Sequence, residues 1–309
     1  MEKAVLTEKS KDFFKEESIF IPLGKTDLLH LKRFCGNEHG PVIFMLHGSV
    51  ENGRIFYSKN GKGLAPFLAK QGYDVFVADL RGKGQSSPSI NRNSLYGLTE
   101  CIREEIPALL QEIKKIRGSA PQHWIAHSWG GILMLCYYAR HAGEVNVSSM
   151  IFLGTKRRIT IGSVRKFWVI DIFYNYIFRI LIFLKGYVDT KWLGIGSENE
   201  TQKSRKQTYD WITQEDWKDE DGFDYAATLR KLKLPPVLFI AGGNDKVLGH
   251  QRDIQHLIKE VDAQEAEFYL AAKSRGNRHD YDHITMLTHS DAPDDHFQYI
   301  IRWLNQHGE

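Results

Sequence analysis

The stretch Gln122-His123-Trp124-Ile125-Ala126-His127-Ser128-Trp129-Gly130-Gly131 decides the fold of this chain. An apolar segment runs into Ser128 and a helical segment follows at once, which predicts a sharp strand-to-helix turn that exposes the serine hydroxyl. Such a turn needs small residues two positions before and after the serine, and Ala126 and Gly130 stand there. The first amides of the helix would face an anion formed at Ser128. The alternative is a serine that only caps the helix.

Short apolar segments alternate with helical segments along most of the chain. Strands are predicted at residues 18–23, 29–34, 42–46, 75–78, 124–126, 150–153, 237–241 and 268–270. Helices are predicted at residues 63–71, 99–117, 131–141, 251–261 and 292–306. Short, fully apolar strands indicate a mostly parallel sheet that is covered on both faces. Because residues 24–27 form a turn between the first two strands, we expect an α/β fold that starts with an antiparallel hairpin.

The composition is that of a globular protein. Of 309 residues, 42% are hydrophobic and 26% are charged, which excludes wholesale disorder and fibrous repeats. The net charge of +3 gives no basic footprint, so we expect no nucleic acid partner. Three widely spaced cysteines, Cys35, Cys101 and Cys136, predict neither a disulfide framework nor a metal site. Residues 1–20 do not resemble a secretory signal, so a cytoplasmic location is expected.

The alternation of strands and helices stops after residue 154 and resumes near residue 233. We therefore predict a core of residues 1–154 and 233–309, with residues 155–232 inserted between the sixth and seventh predicted strands as a helical cap. The apolar run at residues 167–184 has the length of a membrane span, but Asp171, Asn175 and Arg179 interrupt it. Its neighbouring basic and aromatic residues favour peripheral contact with a membrane surface instead.

Four further motifs accompany the serine turn. They are Phe44-Met45-Leu46-His47-Gly48-Ser49, Ala78-Asp79-Leu80-Arg81-Gly82-Lys83-Gly84-Gln85-Ser86, Ala241-Gly242-Gly243-Asn244-Asp245 and Asp282-His283-Ile284-Thr285-Met286. With the serine turn they resemble the α/β-hydrolase superfamily, in its serine esterase and lipase branch with a helical cap, over nearly the whole chain. The resemblance implies acyl-enzyme chemistry under a lid, with no metal and no organic cofactor.

The resemblance and the chemistry of acyl transfer assign the catalytic roles. A serine hydroxyl is a weak nucleophile, so Ser128 needs a base that removes its proton. The chain order serine, aspartate, histidine that is typical of this fold places Asp245 and His283 in the triad. His279 stays as the second candidate for the base. Two later histidines are expected at the surface, His289 and His296.

An oxyanion forms during acyl transfer, and two backbone amides should stabilise it. One is the amide of Trp129, the residue after the nucleophile. The other is expected from Ser49, with Val50 as the alternative.

Three other residues in the motifs are expected to be structural. His47 is predicted to be buried without a chemical role, and Asp79 and Arg81 to brace a turn as a pair. The spacing of His and Asp at residues 279–283 fits no structural zinc pattern, so no metal ligand is assigned.

These assignments predict a serine hydrolase that cleaves a carboxylic ester of a hydrophobic, acyl or lipid-like substrate. A thioesterase or an acyltransferase would use the same triad, and a non-catalytic ligand-binding or lipid-surface-binding protein could share the fold. If Ser128 and Asp245 meet in one site, the segment between them does not cross a membrane once, because a single crossing would separate them.

Overall fold

The computed structural model describes residues 7–11, 14–160 and 177–307. Its main sheet contains β1 Thr7–Lys11, β2 Phe14–Leu23, β3 Asp27–Cys35, β4 Val42–Leu46, β5 Asp74–Asp79, β6 Gln122–His127, β7 Val147–Leu153, β10 Val237–Gly242 and β11 Ala266–Ala271. A separate strand pair is β8 Tyr187–Val188 and β9 Glu200–Thr201. The order across the main sheet is β1-β2-β3-β5-β4-β6-β7-β10-β11.

The pairing of the strands confirms the predicted fold class. β1, β2, β3 and β5 pair antiparallel in turn, and every pair from β5 through β4 to β11 is parallel. One detail differs from the prediction, because β1 adds a strand before the predicted hairpin. The segment predicted as an insertion therefore follows β7 and precedes β10, which are the seventh and eighth strands of the main sheet. The β1 sequence, Thr-Glu-Lys-Ser-Lys, is polar throughout and carries no apolar alternation that would signal a strand.

Helices cover both faces of the parallel part of the sheet. Those of the core are Leu64–Lys70, Ile106–Arg117, Trp129–His141, Gln251–Glu260, Thr285–Thr288 and His296–Gln306. All residues of β4, β5 and β10 are buried, and two apolar clusters fill the space on the two sides of the sheet. This double burial explains why β4, β10 and the middle of β5 are apolar in continuous runs instead of at alternate positions, with aspartates only at the two ends of β5.

The strand register brings the predicted site residues to one edge of the sheet. Leu46 of β4 lies opposite Ala78 of β5 and Ala126 of β6, and Ala126 lies opposite Phe152 of β7. The carboxyl ends of these parallel strands therefore align. Open α/β sheets bind their ligands at this edge.

The described part of the insertion, residues 155–160 and 177–232, contains more than helices. Its helices are Phe178–Lys185, Thr190–Leu193, Gln202–Thr213 and Tyr225–Leu229, and β8 and β9 pair antiparallel between them. The sequence predicted no strand there, because two-residue strands leave no periodic signal. Much of the apolar run at residues 167–184 lies outside the described residues. Among the residues that are described, no helix is long and apolar enough to cross a bilayer.

Candidate active site

Ser128 occupies the tight turn that the sequence predicts between β6 and the helix Trp129–His141. Its φ of 51° and ψ of −121° lie in a region that non-glycine residues rarely adopt. Its amide donates to the Leu153 carbonyl at 2.8 Å, and its carbonyl accepts from the Thr155 hydroxyl at 2.8 Å. A Cβ at Gly130 would overlap the Leu46 carbonyl, which explains the glycine two positions after the serine. Strain of this kind concentrates at functional sites.

Asp245 and His283 form a buried pair at the same sheet edge. The His283 Nδ1 and Asp245 Oδ2 atoms are 2.6 Å apart, and the two residues are 8% and 5% exposed. Burial would raise the pKa of the Asp245 carboxyl, but the hydrogen bond from His283 and its charge lower it below the ordinary value. Burial lowers the pKa of the His283 imidazole, and Asp245 only partly opposes this effect. His283 is therefore neutral at neutral pH, as a base must be.

His283 contacts residues that lie next to Ser128 in the chain or in the sheet. His127, which precedes Ser128, has its ring centroid 4.6 Å from that of His283. Gly154 lies under the His283 ring, where a Cβ would come within 2.8 Å of it. Within residues 14–160 and 177–307, no hydrogen bond joins the Ser128 hydroxyl to His283. Such catalytic hydrogen bonds are often long before substrate binds.

The loop that carries His283 is shaped by the residue before it. The Asp282 carboxylate accepts the amides of Ile284 at 3.0 Å and Thr285 at 2.8 Å, so it caps the helix Thr285–Thr288. Side-chain caps of this kind stabilise helix starts. Asp282 therefore fixes the direction in which the chain leaves His283.

The other histidines of this region do not contact Asp245. His279 pairs with Asp291 at 2.7 Å and is partly exposed, so the second candidate for the base has a different carboxylate partner. His296 was predicted at the surface but is buried, with its Nε2 atom 2.6 Å from the Met286 carbonyl. His289 is partly exposed. Ligand atoms of His279, His289 and Asp291 lie within 4.8 Å of one another, and this group is where the described residues could hold a metal ion.

The predicted oxyanion donors lie beside a small cavity. Ser49 and Trp129 both line a cavity of about 30 Å³, together with apolar side chains of Leu98, Leu133 and others. Among the described residues, neither the Ser49 amide nor the Trp129 amide donates a hydrogen bond. An amide that stabilises an oxyanion must not be occupied by another acceptor, and this condition is met at both positions.

The loop after β4 that carries Ser49, the predicted oxyanion loop, is braced by residues 155–232, which the sequence did not reveal. The Ser49 hydroxyl donates to Glu200 Oε2 at 2.6 Å, and Lys83 lies 3.4 Å from Glu200 and donates to the Ser49 carbonyl. Three residues after Ser49 in the same loop, Asn52 donates to Glu198 Oε1 at 2.6 Å. Two carboxylates of residues 155–232 thus hold the loop that carries Ser49.

The three residues predicted to be structural have structural partners, with one correction. His47 is buried, with Nδ1 2.7 Å from the Gly48 carbonyl and Nε2 accepting the Leu80 amide at 3.1 Å. Asp79 accepts from His30 at 2.8 Å and from the Gly53 amide at 2.7 Å. The prediction that Arg81 pairs with Asp79 was wrong, because Arg81 donates to Glu104 at 2.6 Å instead. Both residues brace the turn, each toward a different element.

Another carboxylate–imidazole pair, with a buried histidine and a partly buried glutamate, lies next to the Asp245–His283 pair and was missed by sequence reasoning. Glu51 Oε1 is 2.6 Å from His127 Nδ1 and also accepts the Gly48 amide. The other ring nitrogen, His127 Nε2, is 2.9 Å from the carbonyl oxygen of His283. The only signal in the sequence is the position of His127 beside Ser128, which says nothing of its partners.

Comparison with known proteins identifies the family. The profile of the alpha/beta hydrolase fold family matches residues 41–271, which is more than half of the chain, so the chain belongs to this family. A soluble variant of monoglyceride lipase from Saccharomyces cerevisiae, solved with a substrate analogue, has a similar fold. The TM-score is 0.60 at 18% identity, over 99% of this chain and 96% of that one.

Sequence relatives match over shorter segments. A proline iminopeptidase from Xylella fastidiosa is 29% identical over 35% of this chain and 30% of its own length. The human gastric triacylglycerol lipase is 29% identical over 32% of this chain and 27% of its own length. Each match thus spans less than a third of the relative. The chain has the fold of lipase- and esterase-type hydrolases, and its own substrate is a separate question.

Proposed function

We propose that the protein is a serine hydrolase that cleaves a carboxylic ester with a hydrophobic acyl group. Ser128 is the nucleophile, His283 the base and Asp245 the residue that orients the base. The observation that carries the proposal is the 2.6 Å contact of His283 with Asp245 at the same sheet edge as a strained serine. The hydrogen bond through Nδ1 leaves the Nε2 atom of His283 for the serine proton.

The reaction proceeds through an acyl-enzyme. Ser128 Oγ attacks the ester carbonyl carbon, and its proton passes to His283 Nε2. The tetrahedral intermediate collapses, the bond to the alcohol oxygen breaks, and His283 returns the proton to the leaving alcohol. Water then attacks the acyl carbonyl carbon and gives a proton to His283. The second tetrahedral intermediate collapses, the bond to Ser128 Oγ breaks, His283 returns the proton to Ser128, and the carboxylic acid leaves. Asp245 stays ionised throughout and stabilises the imidazolium.

The oxyanion of both tetrahedral intermediates is proposed to bind the amides of Ser49 and Trp129. Donors that point at the place where charge develops stabilise the transition state more than the substrate. Removal of one such donor costs about a hundredfold or more in rate. The start of the helix Trp129–His141 adds its partial positive charge on the same side.

A hydrophobic substrate is proposed from the walls around the oxyanion residues. The cavity beside Ser49 and Trp129 is lined by Leu80, Ile90, Leu98 and Leu133 among others. Its volume of about 30 Å³ holds about one water molecule, so an acyl chain requires the walls to separate. The insertion supplies Glu200, Thr201 and Ser204 to the same cavity, which makes it the proposed lid.

Peripheral contact with a membrane surface is proposed for the outer face of the helix Phe178–Lys185. This helix buries Phe178 and Leu181 but leaves Phe183 88% exposed. Trp192, 71% exposed, lies nearby with the Lys185 ammonium 5.5 Å from its ring centroid. Exposed aromatic residues beside long basic side chains suit a lipid interface, where the esters of lipids are found. The free, buried cysteines fit a cytoplasmic location.

The proposed function is tested with a series of p-nitrophenyl esters from acetyl to palmitoyl. We expect wild-type protein to hydrolyse them, with the preferred chain length reporting the size of the acyl site, and Ser128→Ala to abolish the activity. If folded wild-type protein cleaves an acyl thioester but no ester, the proposed substrate class changes from ester to thioester. Activity that survives Ser128→Ala would contradict the assignment of the nucleophile.

A further inference from the structure

The Glu51–His127 pair connects three parts of the proposed active site. Glu51 accepts the amide of Gly48, the residue before the oxyanion donor Ser49. His127 directly precedes the nucleophile in the chain. Through Nε2, His127 reaches the backbone carbonyl of His283, the proposed base. No other polar pair among the described residues touches the oxyanion loop, the serine turn and the base loop together.

The hydrogen bonds and the charges of Glu51 and His127 together favour one protonation state of the pair. A backbone carbonyl can only accept, so His127 Nε2 carries a proton. The Glu51 oxygen that faces Nδ1 already accepts the Gly48 amide, as a carboxylate does. Burial alone would lower the pKa of His127, but the charge of Glu51 raises it above the ordinary value. Burial would raise the pKa of Glu51, but His127 lowers it to about 2. These contacts and pKa directions favour an imidazolium paired with a carboxylate.

We propose that Glu51 and His127 are positioning residues that lock the base loop and the oxyanion loop onto the serine turn. This role rests on the proposed function, because it concerns how the proposed catalytic groups are held in place. A neutral imidazole has one N–H and cannot donate at both ring nitrogens. Donation to the Glu51 carboxylate and to the His283 carbonyl at the same time therefore requires the charged form, and Glu51 is the residue that stabilises this form. Rigid support of this kind holds catalytic groups in reactive geometry.

The imidazolium also faces the base itself. The titratable groups that act on His283 are Asp245 from the loop after β10, His127 from the end of β6 and Glu51 from the oxyanion loop. Lys156, at the start of the insertion, acts on Asp245. Because His127 is the cation whose ring packs on His283, its removal leaves two carboxylates near the base. The base then accepts a proton at higher pH.

Three variants test the positioning role. Glu51→Gln removes the charge with little change of shape, His127→Phe keeps a ring of similar size, and the double variant removes both charges. The matched control is His123→Gln, which removes a buried histidine at the other end of the same strand. A conservative variant, Glu51→Asp, keeps the carboxylate. Circular dichroism and thermal unfolding report which variants fold.

The readouts are ester hydrolysis and the rate of labelling by a fluorophosphonate. In labelling, the serine oxygen bonds to phosphorus, fluoride leaves and the hydroxyl proton passes to His283. We expect both Glu51→Gln and His127→Phe to lower kcat and the labelling rate by about tenfold to a hundredfold, with KM nearly unchanged. In the pH profile of the hydrolysis rate, the acid limb is expected to move to higher pH in His127→Phe. The shift is expected to be smaller in the double variant, which lacks the Glu51 charge as well. We expect Glu51→Asp and His123→Gln to retain a higher kcat and a higher labelling rate than Glu51→Gln and His127→Phe.

The outcomes separate this proposal from the proposed function. If wild-type protein is labelled at Ser128 and folded Glu51→Gln and His127→Phe react as fast with an unmoved acid limb, the positioning role is wrong and the triad stands. If His127→Phe does not fold, Glu51→Gln and Glu51→Asp decide alone. Labelling without hydrolysis of any ester overturns the ester substrate but leaves the positioning test intact. Absence of labelling at Ser128 overturns both.

Discussion

Two carboxylate–imidazole pairs lie side by side at one edge of the sheet, with ring centroids 4.6 Å apart. In the Asp245–His283 pair, the carboxylate binds Nδ1, and Nε2 has no hydrogen-bond partner within the described ranges. In the Glu51–His127 pair, both ring nitrogens are bound. The residue types are the same, and the second nitrogen decides the role. A free Nε2 suits proton transfer, whereas a bound Nε2 suits structural support.

The largest expected effect comes from breaking the first pair. In Asp245→Asn the amide no longer fixes the tautomer of His283, and we expect kcat to fall by about 10³- to 10⁴-fold. Asp291→Asn is the matched control, because it breaks the comparable but exposed pair with His279 at 2.7 Å. We expect that control to keep wild-type kcat. The same loss in Asp291→Asn would show that His279 contributes to the reaction.

The pH profile of hydrolysis tests whether the imidazole of His283 is neutral while that of His127 is charged. Burial holds the pKa of His283 below its ordinary value, so the base stays neutral at pH values where a free histidine is partly protonated. We expect kcat/KM to rise with pH to half of its maximum below about pH 6.5, the value for free imidazole. A half-maximum above that value would contradict a buried, neutral base beside the imidazolium of His127.

A smaller effect is expected where the insertion meets the oxyanion loop. Glu200→Gln weakens the hold on the Ser49 hydroxyl and on Lys83 but leaves both pairs in place. We expect kcat to fall by about three- to tenfold, less than for loss of an oxyanion donor itself. Glu265→Gln, which touches only exposed Lys233, serves as the control. A wild-type rate in folded Glu200→Gln would show that this contact does not support the loop.

The smallest effect on chemistry is expected at the outer face of the insertion. Phe183→Ser and Trp192→Ser change exposed side chains, so kcat with a water-soluble ester should stay within about twofold of wild type. Co-sedimentation with anionic lipid vesicles should fall in both variants because apolar contact is lost. Leu28→Ser, an exposed leucine on β3, is the control. Unchanged vesicle binding, or none in wild type, would contradict the proposed membrane surface.

The sequence predicted the core well because its signals are local. Double burial makes β4, β10 and the middle of β5 continuously apolar, and the strained turn at Ser128 requires small residues two positions before and after the serine. The position of His283 in its motif likewise indicated it above His279. Each of these features is encoded within about ten residues of chain.

The parts that the sequence did not predict depend on partners far apart in the chain. Glu51 and His127 are separated by 76 positions, and nothing near either residue reveals that both ring nitrogens are bound. The contact of Glu200 with Ser49 joins residues 151 positions apart. His296 was expected at the surface, since its helix start gives no sign of the Met286 carbonyl that it contacts. Tertiary hydrogen bonds of this kind require the structure.

The most direct test of the account is to find which residue becomes labelled by a fluorophosphonate. Wild-type protein and the Ser128→Ala, Asp245→Asn and His127→Phe variants are treated, digested and analysed by mass spectrometry. We expect one phosphonylated residue, Ser128, in wild type, slower labelling at the same residue in Asp245→Asn and His127→Phe, and none in Ser128→Ala. An adduct at another residue, or ester hydrolysis by a protein that is never labelled at Ser128, would contradict the account.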